Sequence, residues 1–288
     1  MRVLLLGGGG QVAQAVAKAA PAQQQVVIKT RADLDIADAG AIAALLADSE
    51  FDWIVNAAAY TAVDQAEAQG DRAFAVNDTA VGLLATAAAS ADCRLLHIST
   101  DFVFDGRTSR AYLPSDSPNP LSIYGRSKLG GENRVREAGG DGLVLRSSWI
   151  YAAAGRNFVL TMLRLMRELA QVRVVCDQIG APTWAVSLAS AIWGLIESAA
   201  PGGTYHWTDL GVASWYDFAV AIQEEALVRG LLSRSVPIVP IATADYPTPA
   251  RRPAFSLLNT DSTRALVSIP AQHWRHNLRK MMDELRTG

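Results

Sequence analysis

The sequence predicts an α/β protein built on a doubly wound parallel sheet. Two observations predict it: short apolar runs alternate with helix-length, Ala-rich segments through the first half of the chain, and the first run leads directly into four glycines. Repeated strand–helix–strand order gives parallel strands joined by right-handed crossovers, with helices on both faces. The chain has 288 residues, half of them hydrophobic, which is enough to bury such a core.

The first half divides into five strands and four helices by hydrophobic periodicity. The predicted strands are residues 3–6, 26–29, 53–56, 95–99 and 143–146, and the predicted helices are 11–20, 39–47, 73–91 and 127–138. In such a sheet, ligands bind at the carboxyl ends of the strands.

The pattern changes after about residue 150. Strands are predicted at 172–176 and 204–207, and helices at 158–169, 184–198 and 215–228. Residues 237–253 hold five of the twelve prolines and are expected to form an irregular, fixed surface loop. We therefore predict a sheet domain over residues 1–150 and a smaller α/β substrate lobe over 151–288, with elements near 172–207 returning to the sheet.

Composition and charge exclude several classes of function. The net charge is −2 and charged residues make up 19% of the chain, so we expect neither nucleic acid nor a membrane as a partner. The uncharged run at 179–196 contains a glycine and a proline, which favours a loop followed by a buried helix over a membrane span. Cys93 and Cys176 lack metal-site spacing and are predicted to be buried free thiols, which indicates a cytoplasmic protein.

The four glycines have the pattern of a phosphate-binding turn. Gly7 permits a tight turn, Gly10 lets backbone amides approach a pyrophosphate, and the small Ala13 lets the helix pack on the sheet. The helix that begins at Gln11 and Val12 adds unpaired N–H donors and a partial positive charge. A flexible connection is the alternative, but the place at the first strand-to-helix junction favours a Rossmann-type dinucleotide site.

The end of the second strand bears on which dinucleotide is bound. A site that prefers NAD places an acid there for the ribose 2′-hydroxyl. Here Arg31 stands at that position and the acids are delayed to Asp33 and Asp35. Arg31 could hold a 2′-phosphate by charge-assisted hydrogen bonds, although a solvated surface arginine is the alternative. The sequence favours NADPH and leaves NADH possible.

Tyr124 and Lys128 form a Tyr-x-x-x-Lys pair, which places a phenol and an ammonium on one helix face. A reductase must protonate the alkoxide that forms when hydride reaches a carbonyl carbon. Tyrosine, with an ordinary pKa of about 10, can donate that proton, and a nearby Lys⁺ is expected to lower the pKa of the phenol. Thr100, at the end of the fourth strand, is the candidate that hydrogen-bonds the substrate oxygen.

Together these motifs resemble an extended short-chain dehydrogenase/reductase and, more specifically, the dTDP-4-dehydrorhamnose reductases. The similarity runs nearly end to end. The resembling segments are 7–13, 55–64, 99–104, 124–128, 146–151, 177–183 and 246–253.

The resemblance implies reduction of dTDP-4-dehydro-6-deoxy-L-mannose to dTDP-L-rhamnose with NAD(P)H. It implies that Tyr124 donates the proton, that Lys128 tunes it and holds the nicotinamide ribose, that Thr100 contacts the reacting oxygen, and that Trp149 packs against the sugar. The implied cofactor-binding residues are Gly7, Gly10, Gln11, Val12, Arg31, Asp35, Ile36, Ala57, Ala58, Ala59, Tyr124 and Lys128. The implied substrate-binding residues are Thr100, Asp101, Val103, Phe104, Trp149, Asn157 and Arg251, with Arg252 as a second candidate for a phosphate.

Two departures separate the chain from related proteins. Dehydratases of the superfamily carry Asp-Glu after the threonine, whereas Thr100 is followed by Asp101 and Phe102, so elimination lacks its base. Some reductases of the family form dimers bridged by Mg²⁺ through glutamates. Two of those positions are Ala15 and Val186 here and only Glu284 matches, so we expect no metal site and a monomer or weak homodimer.

Two alternatives stay open at this point. One is a reductase or epimerase that acts on another nucleotide sugar. The other is a non-catalytic, NADP-binding regulatory subunit, against which the intact Thr100, Tyr124 and Lys128 argue.

Overall fold

The structure, a computed structural model, describes residues 1–47, 50–139, 141–270 and 272–287. The strands in these residues are β1 (Arg2–Leu6), β2 (Gln25–Lys29), β3 (Trp53–Asn56), β4 (Arg94–Thr100), β5 (Leu143–Ser147), β6 (Ile150–Tyr151), β7 (Val172–Val175), β8 (Ile179–Gly180), β9 (Thr183–Trp184), β10 (Gly203–His206), β11 (Ala213–Ser214) and β12 (Ile238–Ile241). The α-helices are α1 (Gln11–Lys18), α2 (Ala39–Ala47), α3 (Val63–Ala66), α4 (Gly70–Phe74), α5 (Ala80–Ser90), α6 (Ile123–Glu137), α7 (Phe158–Glu168), α8 (Ala185–Glu197), α9 (Trp215–Val228), α10 (Asp261–Leu266) and α11 (Trp274–Thr287).

The main sheet has six strands in the order β10-β5-β4-β3-β1-β2, and every neighbouring pair is parallel. This confirms the predicted doubly wound sheet, and the five strands predicted in the first half are β1 to β5. The strand order reverses between β1 and β3, which is the switch point where such a sheet binds its ligand.

Helices cover both faces of this sheet. Helices α1 and α8 enclose one buried apolar cluster, and α2 and α5 enclose another on the opposite face. A third cluster, between α7, α9 and α11, forms the core of the second lobe. Helix α8 and strand β10 therefore accompany the sheet, as expected for part of residues 172–207, while the domain division at residue 150 stays a prediction.

Helix α6 begins at Ile123, four residues before the predicted start. Glycine is required at position 125 in this first turn, because a Cβ there would collide with the carbonyl oxygen of Phe102. Ser122 caps the helix, its hydroxyl accepting a hydrogen bond from Gly125 N at 3.1 Å. The earlier start places Tyr124 inside the helix, one turn before Lys128.

Two further predictions were wrong in part. Residues 73–91 were expected to form one α-helix, but a π-helical turn, Ala75–Thr79, separates α4 from α5. The proline-rich stretch was expected to be irregular throughout, but β12 lies within it and pairs with β7 in a separate two-stranded sheet. Pro240 is tolerated there because each strand of such a sheet has a free edge. Strand β7 consequently does not return to the main sheet.

One apolar run and the cysteines were singled out by the sequence. In the run at 179–196, the predicted buried helix is confirmed as α8, and the segment before it contains the short strands β8 and β9. The helical run Gly70–Ser90 is long and apolar enough to cross a membrane by length and composition alone, and α5 within it packs in the core beside α2. Cys93 is buried as predicted, whereas Cys176 is exposed, because it follows the end of β7.

Candidate active site

The glycine turn lies against the segment that follows β3. Gly7 has φ +84°, and a Cβ there would lie 2.7 Å from Ala58 N and 2.8 Å from Ala57 O. Both the backbone conformation and the close approach therefore require glycine. Gly10, where a Cβ would lie 3.3 Å from Gly7 O, is the cap residue of α1.

The amino terminus of α1 has the donors that a phosphate needs. No side chain caps this helix and no acidic residue lies in its first turn. The N–H groups at Gln11 and Val12 therefore point from an uncapped helix end at the switch point of the sheet. The Gln11 side chain contacts strand β6, since its Nε2 donates to Ile150 O at 3.2 Å. The glycine turn, in which Gly7 leaves no room for a Cβ and Gly10 leaves little, and the uncapped end of α1 together fit the pyrophosphate of a dinucleotide.

At the end of β2, the side chain of Arg31 is 74% exposed, and its only ion pair in the described residues is with Asp35 at 4.0 Å. The guanidinium is thus free to meet a ribose phosphate. Ile36 is 7% exposed and packs in the cluster below the sheet, and its place beside the adenine stays a prediction. Ala57, Ala58 and Ala59 are partly exposed beside the glycine turn.

Lys128 is buried, and two groups on strand β4 lie within hydrogen-bonding distance of its amine. Nζ donates to Ile98 O at 2.7 Å and lies 3.1 Å from His97 Nε2. Burial lowers the pKa of Lys128 from 10.5 to about 8. The half-buried Tyr124 contacts Phe102 edge to face, with ring centroids 5.7 Å apart.

The expected lowering of the tyrosine pKa by Lys128 is not found. Burial raises the pKa of Tyr124 to about 12, the carboxylate of Asp101 raises it further, and only hydrogen bonding to Thr100 opposes this. The reason is that the amine of Lys128 is directed to the strand β4 side, at Ile98 O and His97. The phenol is therefore fully protonated at neutral pH, which suits a proton donor.

A buried chain of hydrogen bonds behind Lys128 was not found by sequence reasoning. Asn56 Oδ1 accepts from Ala58 N at 3.1 Å, so the Asn56 amide nitrogen faces His97 Nδ1, also at 3.1 Å. Nδ1 then accepts, and a neutral ring carries its hydrogen on Nε2, which faces Lys128. Burial and Lys128 hold the pKa of His97 well below 6.5, so the ring is neutral.

The π turn supplies a second residue that the sequence did not indicate. Asn77, 1% exposed, exchanges hydrogen bonds with the backbone of Tyr60 at 2.8 and 3.0 Å and donates to Ser127 Oγ at 3.0 Å. It therefore ties the segment after β3 to the helix that carries Tyr124 and Lys128. A five-residue π turn has no periodicity signal in the sequence, which is why Asn77 was missed.

At the substrate end, Thr100 Oγ1 donates to Asp101 Oδ1 at 3.0 Å, and Asp101 Oδ2 is buried without a partner in the described residues. Burial raises the pKa of Asp101 to about 6. Val103 and Phe104, expected to bind substrate, are 0% exposed, and Phe104 stacks on Tyr112 at 4.0 Å. Their side chains belong to the core, because the turn after Thr100 folds them beneath the sheet edge.

The remaining predicted residues have different environments. Asn157 caps α7, accepting from Leu160 N at 3.1 Å and donating to Ala152 O at 2.8 Å, so its amide serves the fold. Arg252 is held by Asp64 at 2.8 Å. Arg251 is exposed in the same loop, forms no ion pair within the described residues, and is the better placed of the two for a phosphate. Trp149 is half-buried and stacks on Trp215.

Two residues stand where the sequence lacks the glutamates of a Mg²⁺-bridged dimer, and both have apolar surroundings. Ala15 on α1 is buried and Val186 on α8 packs against the same cluster. The predicted absence of a Mg²⁺-bridged dimer stays a prediction.

Comparison with known proteins agrees with this geometry. A family model described as the RmlD substrate binding domain matches residues 1–287. A dTDP-4-dehydrorhamnose reductase of Burkholderia thailandensis is 42% identical in an alignment 286 positions long that covers 96% of each chain. The crystal structure of a dTDP-4-dehydrorhamnose reductase from Clostridium acetobutylicum matches with a TM-score of 0.93 and 34% identity, over 99% of this chain and 100% of that one. A Bacillus anthracis dTDP-4-dehydrorhamnose reductase in complex with NADP matches with a TM-score of 0.92 and 32% identity, over 98% and 99% of the two chains. The chain therefore belongs to the RmlD family of dTDP-4-dehydrorhamnose reductases.

Proposed function

We infer that the chain reduces the C4 keto group of dTDP-4-dehydro-6-deoxy-L-mannose to give dTDP-L-rhamnose, with NADPH as cofactor. One observation carries this inference: in a member of this family, a protonated phenol, a buried lysine and a threonine meet at the sheet edge beside a glycine cradle. Helix α6 and strand β4 each supply part of this set.

The cofactor supplies a hydride when it is bound. We propose that the uncapped end of α1 holds its pyrophosphate, with Gly7 and Gly10 giving the backbone room to approach. Arg31 would pair with the 2′-phosphate, and Lys128 would hold the nicotinamide ribose. The remaining proposed contacts are Gln11, Val12, Asp35, Ala57, Ala58 and Ala59.

The proton that the reduction requires comes from a side chain of the protein. We propose that Tyr124 donates its hydroxyl proton to the substrate oxygen as negative charge develops there, because its raised pKa keeps the proton in place until then. Thr100 would hydrogen-bond the same oxygen. A cationic Lys128 would stabilise the phenolate that is left. Asp101, Trp149 and Arg251 are the proposed contacts to the rest of the dTDP-sugar.

A coupled assay tests the proposed function. The purified protein is given NADPH and the product of an upstream epimerase that makes dTDP-4-dehydro-6-deoxy-L-mannose, and the loss of nicotinamide absorbance is followed. We expect turnover with this sugar and the appearance of dTDP-L-rhamnose. A panel of other nucleotide-linked keto sugars serves as the control, and faster turnover of any of them would overturn the assigned substrate.

We further propose that the protein acts in the cytoplasm as a monomer or weak dimer without a bridging metal. The apolar side chains of Ala15 and Val186 support this, since neither offers an oxygen to Mg²⁺.

The Arg31→Ala variant is expected to raise the KM for NADPH by about tenfold while changing the KM for NADH little, because only NADPH carries the phosphate that pairs with the guanidinium. Steady-state kinetics with both cofactors checks this. Arg173→Ala, which removes another exposed arginine far along the chain on β7, is the matched control. Equal effects of Arg31→Ala on both cofactors would contradict the assignment.

Binding of NADPH should weaken as the pH rises above about 8. The pKa of Lys128 in the free protein is about 8, so at higher pH the cofactor must bind together with a proton, and its Kd should rise up to about tenfold per pH unit. Tyr124, with a pKa of about 12, and the neutral His97 do not titrate between pH 7 and 9. Fluorescence titration measures the Kd, and Lys128→Met should abolish this slope; an unchanged slope in that variant would rule Lys128 out as its source.

A further inference from the structure

The side chain of Trp149 is held on one face by Trp215. Their ring centroids lie 3.6 Å apart with planes 8° from parallel. Phe158 contacts Trp215 in turn, with centroids 4.6 Å apart. Trp215 is the first residue of α9. Ser214, directly before it, and Asp217, in the first turn, form a capping box that fixes this helix end. Trp149, Trp215 and Phe158 are here named the aromatic stack.

The other face of Trp149 is covered by the backbone of Gly180. A Cβ there would lie 2.8 Å from Cε2 of the indole and 3.0 Å from both Cζ2 and Nε1. Nearly equal distances to three bonded atoms place that position over the ring face rather than at its edge. Since Trp215 occupies one face, Gly180 must lie on the opposite one. Both faces of the indole are therefore taken by the protein.

The backbone at Trp149 is in an unusual conformation. Its φ is +48°, a region that a bulky residue adopts only when its surroundings hold it there. The contacts from both sides supply that restraint. Such outliers cluster at functional sites, where they point a side chain in one direction.

Trp149 stands beside the reacting centre. Ser147, two residues earlier, pairs in register with Thr100 across β4 and β5. The indole is half-buried, and its N–H donates to no acceptor in the part of the chain that the structure describes. What Trp149 can offer to a ligand is consequently its edge, with one free N–H donor.

We propose that Trp215 is a positioning residue for substrate binding: it clamps Trp149 against Gly180 so that the indole edge and its N–H meet a hydroxyl group of the sugar. This refines the expectation that Trp149 packs its face on the sugar. The inference rests on the proposed function for its substrate. Trp215, a residue of the second lobe, thereby contributes to recognition of the sugar. It has no part in binding the cofactor.

Kinetics of Trp215→Ala test the proposal. We expect the KM for the sugar nucleotide to rise about tenfold, with the KM for NADPH unchanged, since loss of one buried hydrogen-bonded contact has about this effect. Trp215→Phe should retain part of the affinity, because a smaller ring can still stack. Tyr216→Ala, at the next position and outside the aromatic stack, is the control and should leave both KM values unchanged. An unchanged KM for the sugar in Trp215→Ala would overturn the proposal.

Three further measurements keep the test decisive. Stacked indoles give an exciton couplet in circular dichroism, which should be present in the wild type and lost in Trp215→Ala and in Trp149→Phe; its absence from the wild type would overturn the stack itself. Trp149→Phe keeps an aromatic face but loses the N–H, so it should raise the KM for the sugar, whereas full affinity would indicate face packing. Gly180→Ala displaces the indole of Trp149 from the face opposite Trp215 and should also raise the KM for the sugar nucleotide. This variant tests the proposal if Trp215→Ala does not fold.

Failure of the proposed function would be seen separately. Calorimetric titration with dTDP-L-rhamnose and with dTDP alone measures binding without turnover. If the wild type fails to oxidise NADPH with the keto sugar, a weaker binding of dTDP-L-rhamnose, but not of dTDP, to Trp215→Ala still supports the positioning role. Equal binding of dTDP-L-rhamnose to both proteins would refute it.

Discussion

Replacement of Tyr124 by phenylalanine is expected to lower kcat for reduction of the keto sugar by about 10²- to 10⁴-fold, the usual contribution of a positioned general acid. The phenol is the group at the sheet edge that holds a transferable proton at neutral pH, since burial raises its pKa to about 12. Lys128 cannot replace it as donor, because its amine is directed to Ile98 O and His97 on the strand.

The variant is conservative for the fold. The ring that contacts Phe102 is retained, so the midpoint of thermal unfolding and the Kd for NADPH should stay close to those of the wild type. Single-turnover measurements with bound NADPH separate the chemical step from binding. Full activity of Tyr124→Phe would refute the proposed proton donor and, with it, the mechanism.

Loss of the charge on Glu132 is expected to lower the free energy of unfolding by about 3–5 kcal/mol, because it leaves a buried arginine without its counter-ion. Glu132 and Arg146 are 0% and 1% exposed and form a two-pronged pair with bonds of 2.8 and 2.6 Å. Ser99 donates to the same carboxylate at 2.6 Å, directly before Thr100. Urea unfolding of Glu132→Gln measures the effect.

A matched control and a double variant interpret that result. Glu168→Gln removes a carboxylate from an exposed pair with Arg164 and should change stability by less than about 1 kcal/mol. Glu132→Leu combined with Arg146→Met removes both charges and should recover much of the loss, since a buried pair contributes little beyond an apolar pair of similar volume. If Glu132→Gln lowers the free energy of unfolding by no more than the exposed control does, the Glu132–Arg146 pair is not isolated from water.

Local patterns were sufficient for much of the site. The phenol and lysine are four residues apart, and the glycine turn follows the first strand, so both could be placed at the sheet edge without coordinates. Their reliability has a simple cause: helical spacing and the steric need for glycine act over a few neighbouring residues. The start of helix α6 was predicted four residues too late, and the close approach of Phe102 to Gly125 in its first turn is visible only in the structure.

The sequence did not predict the surroundings of individual side chains. Val103 and Phe104 were placed at the substrate and lie in the core. Asn77, which donates to Ser127 on α6, and His97, which contacts Lys128, were not identified. Each of these outcomes depends on a partner distant in the chain, such as His206 for Phe104 and Lys128 for His97.

By itself the sequence determined the parallel sheet and the cofactor class and placed Tyr124 and Lys128 one helical turn apart, because these depend on periodicity and on chemistry within a few residues. Only the tertiary structure decided which faces and atoms stay free. The phenol keeps its proton because burial raises its pKa, and Trp149 offers an edge because Trp215 and Gly180 cover its faces. Desolvation and stacking arise between segments far apart in the chain, so they exist only once the fold has brought those segments together.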